Sequence, residues 1–317
     1  MVPNKNDIEL FFKSLQKNIC TELENLDGKV KFTEDNWERQ GGGGGKTRVL
    51  ENGSVFEKGG VNFSSVTGVL PQQAWKQLLT ETNRKIDSDE GKKNLNFFAT
   101  GISLVIHPVN PFVPIIHMNL RYFELDNNIK WFGGSLDLTP CYVNKEDAVF
   151  FHKQLYQTCN RFNPEWYQKF TDWADEYFYI KHRKESRGIG GIFFDKLMEN
   201  EFVDWETIFE FVKDTGNLFI PVYSALVKRN EKKQYSEKEK TFQLVRRSRY
   251  VEFNLIYDKG TKFGLETDGR TESILISMPP YAKWAYDLSF PDGSIEAETI
   301  SILKSKQDWL KYSPAAV

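Results

Sequence analysis

Polar side chains able to do chemistry alternate along two neighbouring segments of the chain. The first segment carries His117, Asn119 and Arg121, and the second carries Ser135 and Asp137. Because successive side chains of a β-strand point to opposite faces, each set shares one face of its predicted strand. An imidazole exchanges protons near neutral pH, and a guanidinium binds carboxylates through paired hydrogen bonds. The pattern predicts a site on one sheet face that transfers protons and binds an acidic ligand.

The charged members of this set also have plainer interpretations. Arg121 could form an ordinary surface ion pair, worth about 0–1 kcal/mol, rather than a well-made bond to a ligand carboxylate, worth about 1.5–3 kcal/mol. Its neighbours His117 and Asn119 favour the ligand. Asp137 could accept N–H bonds from a ligand or cap the turn that follows it. The glycines beside it let a ligand approach the backbone and slightly favour the first interpretation.

The four histidines of the chain could form one metal site, because histidine is the commonest metal ligand. No pair has the i, i+4 spacing of a helical metal site. The alternative is one catalytic histidine and three structural ones, and the spacing favours it. The four are His107, His117, His152 and His182.

Two other motifs receive structural interpretations. The five glycines at 41–45 precede a lysine and a threonine, but a phosphate-binding loop would need a glycine where the chain has Gln40. We interpret the run as a turned glycine loop near a site and as a candidate mobile segment. Arg246 and Arg247 are interpreted as ordinary surface ion pairs.

Composition narrows the class of protein. The 317 residues are 40% hydrophobic and carry a net charge of −2, which argues against a nucleic-acid-binding protein that works through a basic surface. Three cysteines lie far apart and form no C-x-x-C pair, which is typical of a reducing compartment. No signal segment and no apolar run long enough to span a membrane is found. We therefore expect a soluble cytoplasmic protein.

Periodicity predicts the elements that must position these residues. Strands are expected in blocks joined by short turns, and helices in pairs, which favours an α+β fold with an antiparallel sheet over β-α-β alternation. We predict helices over residues 7–26, 71–84, 144–160, after Pro164 and after Asp204, and strands within 47–65, 97–107, 114–125, 130–138, 189–195, 249–257 and 274–278.

Five blocks, in order along nearly the whole chain, resemble the oxygen-dependent coproporphyrinogen III oxidase family. The resemblance implies a single domain over residues 1–317, with a large, flat antiparallel sheet covered on both faces by helices. It also implies a homodimer formed through a strand region at 249–285. The blocks lie at 41–60 (GGGGGKTRVLENGSVFEKGG), 114–124 (PIIHMNLRYFE), 131–140 (WFGGSLDLTP), 187–197 (RGIGGIFFDKL) and 249–280.

The implied reaction is oxidative decarboxylation of two propionates of coproporphyrinogen III to vinyl groups. Protoporphyrinogen IX, carbon dioxide and hydrogen peroxide are formed, with dioxygen as co-substrate and no organic cofactor. The resemblance makes His117 a proton donor and Asp137 the carboxylate that holds the pyrrole N–H groups. It makes the following residues substrate contacts: Ser103, Asn119, Leu120, Arg121, Asp268, Gly269 and Arg270.

Asp268 departs from the family pattern, which has glycine there. The four histidines align with metal positions of bacterial members, so the resemblance leaves open whether a divalent cation is bound. The alternatives are a four-histidine metal-dependent oxygenase or hydrolase and a non-catalytic tetrapyrrole-binding protein. Activity without metal would argue against the metal-dependent enzyme, and formation of vinyl products would argue against the non-catalytic binding protein.

Overall fold

The computed structural model describes residues 2–70, 94–126, 129–266 and 269–312. The strands there are β1 (Thr33–Glu38), β2 (Gly43–Glu51), β3 (Phe56–Leu70), β4 (Leu95–Pro108), β5 (Ile115–Leu125), β6 (Ile129–Thr139), β7 (Tyr179–Ile180), β8 (Glu185–Ser186) and β9 (Gly191–Leu197). Seven of them form one sheet in the order β1-β2-β3-β4-β5-β6-β9, and every neighbouring pair is antiparallel. Strands β7 and β8 form a separate hairpin.

Helices surround this sheet, and the predicted α+β class with one antiparallel sheet is confirmed. The described helices are α1 (Lys5–Asp27), α2 (Lys145–Asn160), α3 (Trp166–Tyr177), α4 (Trp205–Asn230), α5 (Glu237–Ile256), α6 (Lys259–Glu266), α7 (Thr271–Leu275) and α8 (Ile295–Leu303). The helix predicted over 71–84 lies outside the described residues. No helix in the described part of the chain is both long and apolar enough to cross a membrane.

The main hydrophobic core lies on the sheet face opposite the predicted site. Helices α1, α2 and α4 supply it with large side chains, and the sheet supplies alternate residues of its strands. Phe132 of β6 stacks on Trp205 and Phe209 of α4, with ring centroids 4.8 and 5.7 Å apart. This packing holds the sheet rigid from behind, so the opposite face can carry polar groups at fixed spacing.

The helix starts follow from local capping chemistry. Asn144 accepts a hydrogen bond from the Asp147 N–H at 3.1 Å, and Asp204 accepts one from the Thr207 N–H at 2.7 Å, so both residues are N-caps of helices predicted to begin there. Helix α1 spans the predicted 7–26 segment and begins at a capping box on Asn4. These ends were predictable because the capping residue is adjacent to the groups it satisfies.

The glycine run at 41–45 is only partly a turn. Residues 39–43 form the turn, where Gly42 and Gly43 have φ of 107° and 80°, a left-handed conformation that favours glycine. From Gly43 the chain enters β2, so the prediction of a glycine loop over all five residues was wrong. A Cβ on Gly45 would lie 2.3 Å from the Trp37 ring, and the absent side chain lets β1 and β2 pack closely.

The strands predicted over 249–257 and 274–278 are wrong, because both segments are helical. The first is the end of α5, whose buried residues Phe242, Arg246, Tyr250 and Phe253 recur at helical spacing. The second falls on α7 and the turn after it. Aromatic and β-branched residues favour strands only weakly, and the capping box at Ser236 starts a helix that tertiary packing then maintains.

Helices α5 to α7 cover the second face of the sheet. Tyr250 of α5 packs against Val105 and Ile115, and Phe253 packs with Phe178 and Phe193. All three sheet residues in these contacts lie on the face that carries His117. The predicted cover of helices on both faces is therefore present, and it leaves a space between this face and α5–α7.

Arg246 and Arg247 are buried, so their interpretation as surface ion pairs was wrong. Arg246 Nη1 lies 2.7 Å from Glu185 Oε1, and Arg247 Nη2 lies 2.6 Å from Glu57 Oε2. Both arginines belong to α5, a helix whose C-terminal part the sequence predicted as a strand. Their pairing ties this helix to β8 and to β3.

Candidate active site

The sheet register brings the predicted polar residues together. His117 of β5 pairs with Asp137 of β6, and Asn119 pairs with both Ser103 of β4 and Ser135 of β6. Antiparallel partners point to the same face, so these five side chains share one surface. The predicted shared face of the two segments is confirmed, and β4 adds Ser103 to it.

A cavity of about 350 Å³ lies between this surface and the covering helices. Its floor includes Ser103, His117, Asn119 and Ser135, and its roof includes Tyr250 of α5. A second cleft of about 410 Å³ runs along the same sheet face and shares part of that floor. Sites for small organic molecules are typically about 300–1,000 Å³. Aromatic and aliphatic side chains complete the walls of the first cavity: Trp37, Phe63, Tyr177, Phe193, Ile274 and Ile276.

Asp137 joins His117 to a buried arginine. The Nδ1 atom of His117 donates to Asp137 Oδ1 at 2.6 Å, and Arg187 donates to Asp137 Oδ2. Because an ionised carboxylate only accepts, the proton is on Nδ1 and the other imidazole nitrogen is available for proton transfer. Only the imidazole and the guanidinium line the cavity; the carboxylate lies beneath them. Asp137 thus orients its two partners, and its contact with ligand N–H groups stays a prediction.

The charge of Asp137 is maintained by these partners. Burial opposes ionisation, but the charges of Arg187 and His117 and their hydrogen bonds hold the pKa of Asp137 below its ordinary value. Burial also opposes the charge of Arg187, and Asp137 holds the pKa of that guanidinium above its ordinary value. Both side chains are about 2% exposed, so each depends on the other to remain charged.

Arg187 is the site residue that sequence reasoning missed as a member of this group. Its guanidinium carbon lies 4.1, 4.8 and 5.0 Å from the ring centroids of Phe178, Phe253 and Tyr250, respectively. Aromatic faces attract cations, and here they surround the charge that Asp137 neutralises. The signal in the sequence was an arginine directly before the glycine-rich entry to β9, but its partner lies 50 residues away.

Two further arginines reach the cavity from opposite sides. Arg121 lines both spaces, and its Nη2 lies 2.8 Å from Asp195 Oδ1. Arg270 lines the first cavity, where its Nη1 donates to Ser273 Oγ at 2.9 Å and its Nη2 donates to Asp35. Both arginines that the resemblance makes substrate contacts therefore line one cavity. Together with Arg187, they give the lining three guanidinium groups, which suit a ligand that carries several carboxylates.

The remaining residues predicted to contact substrate lie in different surroundings. The side chain of Leu120 points into the main core and is fully buried there, but the residue also borders the second cleft, so its contact with substrate stays a prediction and would be made by its backbone. Gly269 donates its N–H to the Gly264 carbonyl at 2.8 Å and lies next to Arg270. Asp268 lies outside the described residues. Alternation along β5 explains the Leu120 result, because Asn119 and Arg121 must point the other way.

The four histidines do not meet. Within the described residues, no group of three or more histidine, cysteine, aspartate or glutamate side chains is arranged to hold a metal ion. His107 donates to the Ser277 carbonyl at 2.8 Å, while both nitrogens of His152 and both of His182 bond to protein groups. Burial lowers the pKa of His107 to about 3 and that of His152 to about 4, so both are neutral. The four-imidazole site is therefore not formed, and the residues do not fit a shared metal.

A short segment after α6 closes the cavity by hydrogen bonds to the sheet. Asn62 donates to the Ser273 carbonyl at 2.8 Å, and Thr47 Oγ1 lies 2.8 Å from Ser273 Oγ. The His107–Ser277 bond fixes the other end of the segment. Gly60 permits this approach, because a Cβ there would lie 2.5 Å from Ile276. The roof of the cavity is thus attached to its floor by polar contacts at two points.

The chain is similar to known proteins over most of its length. A family model described as Coproporphyrinogen III oxidase matches residues 7–309. The chain is 45% identical to the oxygen-dependent coproporphyrinogen-III oxidase of Prochlorococcus marinus (strain MIT 9312), over 94% of this chain and 90% of the relative. It is 47% identical to the mitochondrial oxygen-dependent coproporphyrinogen-III oxidase of Rattus norvegicus, over 96% of this chain and 69% of the relative. The matched residues include every cavity residue named above.

Proposed function

Because the chain belongs to the coproporphyrinogen III oxidase family, we propose that it converts two propionates of coproporphyrinogen III to vinyl groups with dioxygen, in haem biosynthesis. The product is protoporphyrinogen IX. The observation that carries the proposal is one cavity, with aromatic walls and three arginines, that also contains an imidazole held by a buried carboxylate. Aromatic walls suit a macrocycle, and guanidinium groups suit its acidic arms.

The balance of electrons and protons in the reaction indicates what the residues of the cavity must supply. For each propionate, one carbon–carbon bond breaks to release carbon dioxide, the adjacent carbon loses a hydrogen, and two electrons pass to dioxygen, which becomes hydrogen peroxide. Starting from the carboxylate, one further proton is consumed. His117 lines the cavity and is the group placed to supply that proton.

The arginines orient the substrate and the imidazole. Arg121 and Arg270 bind propionates of the ring and so fix which arm lies beside His117. Arg187 and Asp137 hold the imidazole in one tautomer and keep the local charge balanced. Ser103 and Asn119 provide polar contacts on the floor.

The test is an aerobic assay of the purified, metal-stripped protein with coproporphyrinogen III. We expect vinyl products together with oxygen uptake and hydrogen peroxide. Activity that returns only on adding a metal ion would favour the metal-dependent alternative. Binding of the tetrapyrrole without oxygen uptake would favour a non-catalytic binding protein.

Assembly and location belong to the same proposal. Large apolar side chains are exposed along the segment after α7, which supports a homodimer formed through this C-terminal region: Tyr281, Trp284, Tyr286 and Leu288. Among its described residues, the region 249–285 is helical up to the end of α7 and irregular after it, so the dimer would not be formed by the strands predicted there. The cytoplasmic location stays a prediction, and a relative is mitochondrial by its name.

A further inference from the structure

The guanidinium of Arg121 is already bound to a carboxylate of the protein. Its Nη2 lies 2.8 Å from Asp195 Oδ1, and its Nη1 donates to Asn119 Oδ1 at 3.2 Å. The side chain of Arg121 is 41% exposed and that of Asp195 is 29% exposed. Both line the second cleft, so the ion pair faces the space that a ligand would enter.

The local backbone is shaped to hold this pair. Arg121 and Asp195 meet above Gly133, where a Cβ would lie 2.6 Å from Asp195 Oδ1 and 2.8 Å from Arg121 Nε. Asp195 also accepts the N–H of Lys196 at 3.0 Å, which fixes its carboxylate at the end of β9. A side chain at position 133 would occupy the place of the ion pair, so the glycine provides room for it.

Arg270 repeats the arrangement at the other side of the cavity, where it is paired with Asp35. Both arginines that would bind propionates are therefore neutralised by an aspartate and are partly exposed. The Arg187–Asp137 pair differs, because both of its members are buried. Exchanging the partner of an exposed guanidinium is cheap, whereas separating a buried pair costs about 3–5 kcal/mol.

We infer that Asp195 occupies Arg121 in place of a substrate carboxylate, and that it takes the guanidinium back when that carboxylate has left as carbon dioxide. The inference rests on the proposed function, in which a propionate arm becomes a vinyl group. Substrate exchanges one carboxylate for another on Arg121, which conserves the ion pair. The vinyl product offers no carboxylate, so re-pairing with Asp195 restores the neutral state of Arg121 once the carboxylate has gone. Asp195 thus determines specificity between substrate and product.

The test compares Asp195→Asn with the unchanged protein in anaerobic calorimetric titrations, where no turnover occurs. The variant leaves Arg121 without its competing carboxylate. We expect its Kd for coproporphyrinogen III to fall about two- to fivefold, the range of a partly exposed ion pair. Its Kd for protoporphyrinogen IX should change less than twofold. In aerobic turnover, KM should fall together with the Kd for coproporphyrinogen III, whereas kcat should change less than twofold, because the affinity for the vinyl product does not change.

Two matched variants separate this role from charge and from structure. Asp172→Asn removes the same charge from an exposed pair with Lys306, away from both spaces, and measures the general effect on an anionic ligand. Asp195→Glu restores the carboxylate and should restore the ratio of the two affinities.

The inference is overturned if Asp195→Asn weakens binding of coproporphyrinogen III, which would make Asp195 an orienting partner of Arg121. It is also overturned if the variant gains affinity for both ligands equally, or only as much as Asp172→Asn does. An unchanged protein that neither binds nor converts coproporphyrinogen III would instead refute the proposed function.

Discussion

A buried carboxylate organises the candidate site at the scale of single residues. Asp137 neutralises Arg187 and holds His117 by Nδ1, so one side chain sets both the charge and the tautomer of the group. Removing one member of a buried ion pair leaves the other without a partner in a medium of low polarity. Stability and catalysis are therefore coupled at this position.

Asp137→Asn should lower both stability and turnover. We expect the free energy of unfolding to fall by about 3–5 kcal/mol, because Arg187 loses its buried counter-charge. We expect kcat on the folded fraction to fall by at least about 100-fold, because the imidazole loses its fixed tautomer. Denaturant unfolding and oxygen uptake at saturating substrate measure the two effects.

Asp27→Asn is the matched control, since Asp27 is also a buried carboxylate but accepts backbone N–H bonds far from the cavity. It should lose stability while the folded protein keeps its kcat. An Asp137→Asn variant with near-normal kcat would remove this carboxylate from the proposed mechanism.

Helix α5 and the loop before β8 determine the roof of the cavity at the scale of elements. Glu252 of α5 accepts two hydrogen bonds from Arg183, at 2.6 and 2.8 Å, and one from the indole N–H of Trp284 at 2.9 Å. His182 lies 2.7 Å from the same carboxylate. One glutamate thus joins α5 to the β7–β8 hairpin and to the C-terminal segment.

Glu252→Gln should reveal this junction through its pH dependence. Burial raises the pKa of Glu252, but the bonds from Arg183, His182 and Trp284 outweigh burial and hold it at about 2, below the ordinary value of about 4.3. A carboxyl with a lower pKa in the folded state stabilises the protein above its ordinary pKa, and this is lost as pH falls towards 2. The variant should lose about 1–2 kcal/mol at pH 6, after allowance for solvent screening, and less at pH 3.

Urea unfolding of both proteins at several pH values gives this difference. Glu298→Gln serves as the control, because Glu298 forms an exposed pair with Lys145. Its effect should stay within about 0.5 kcal/mol. A Glu252 effect that does not shrink between pH 6 and pH 3 would contradict the assigned cause.

Exposed apolar side chains after α7 are the main feature at the scale of the whole molecule. Trp284 and Tyr281 are more than half exposed, and Tyr286 is fully exposed. Contiguous exposed apolar groups mark interaction surfaces more often than isolated ones do. The same segment follows the loop that closes the cavity, so a partner bound there would also stabilise the roof.

Tyr286→Glu should weaken the proposed dimer and shift the protein towards monomer. A charge placed in an apolar interface loses its hydration without gaining a partner. Light scattering after size-exclusion chromatography over a range of protein concentrations measures the shift, with a dissociation constant raised at least about tenfold.

Phe202→Glu is the matched control, because Phe202 is also highly exposed but lies between β9 and α4. It should leave the assembly unchanged. A monomeric unchanged protein, or equal effects of the two variants, would count against a dimer through the C-terminal region.

Local patterns in the chain were sufficient to predict several helices and strands and one face of the site. Alternation along residues 114–125 and 130–138 has a period of two, so the shared face of His117, Asn119 and Arg121 followed from strand geometry alone. Helix starts at Asn144 and Asp204 followed from caps that act within four residues. Such features depend only on neighbours in the chain, and for that reason the sequence by itself determined them.

Contacts between distant residues were decided only by the tertiary structure. Arg187 meets Asp137 across 50 residues, and Asp195 meets Arg121 across 74, and no local pattern encodes either pairing. Burial made Arg246 and Arg247 structural and directed Leu120 away from the cavity. The segment 249–257 is helical because its contacts with the sheet outweigh a weak strand preference. Long-range packing settles these points because its free energy exceeds the small differences in local propensity.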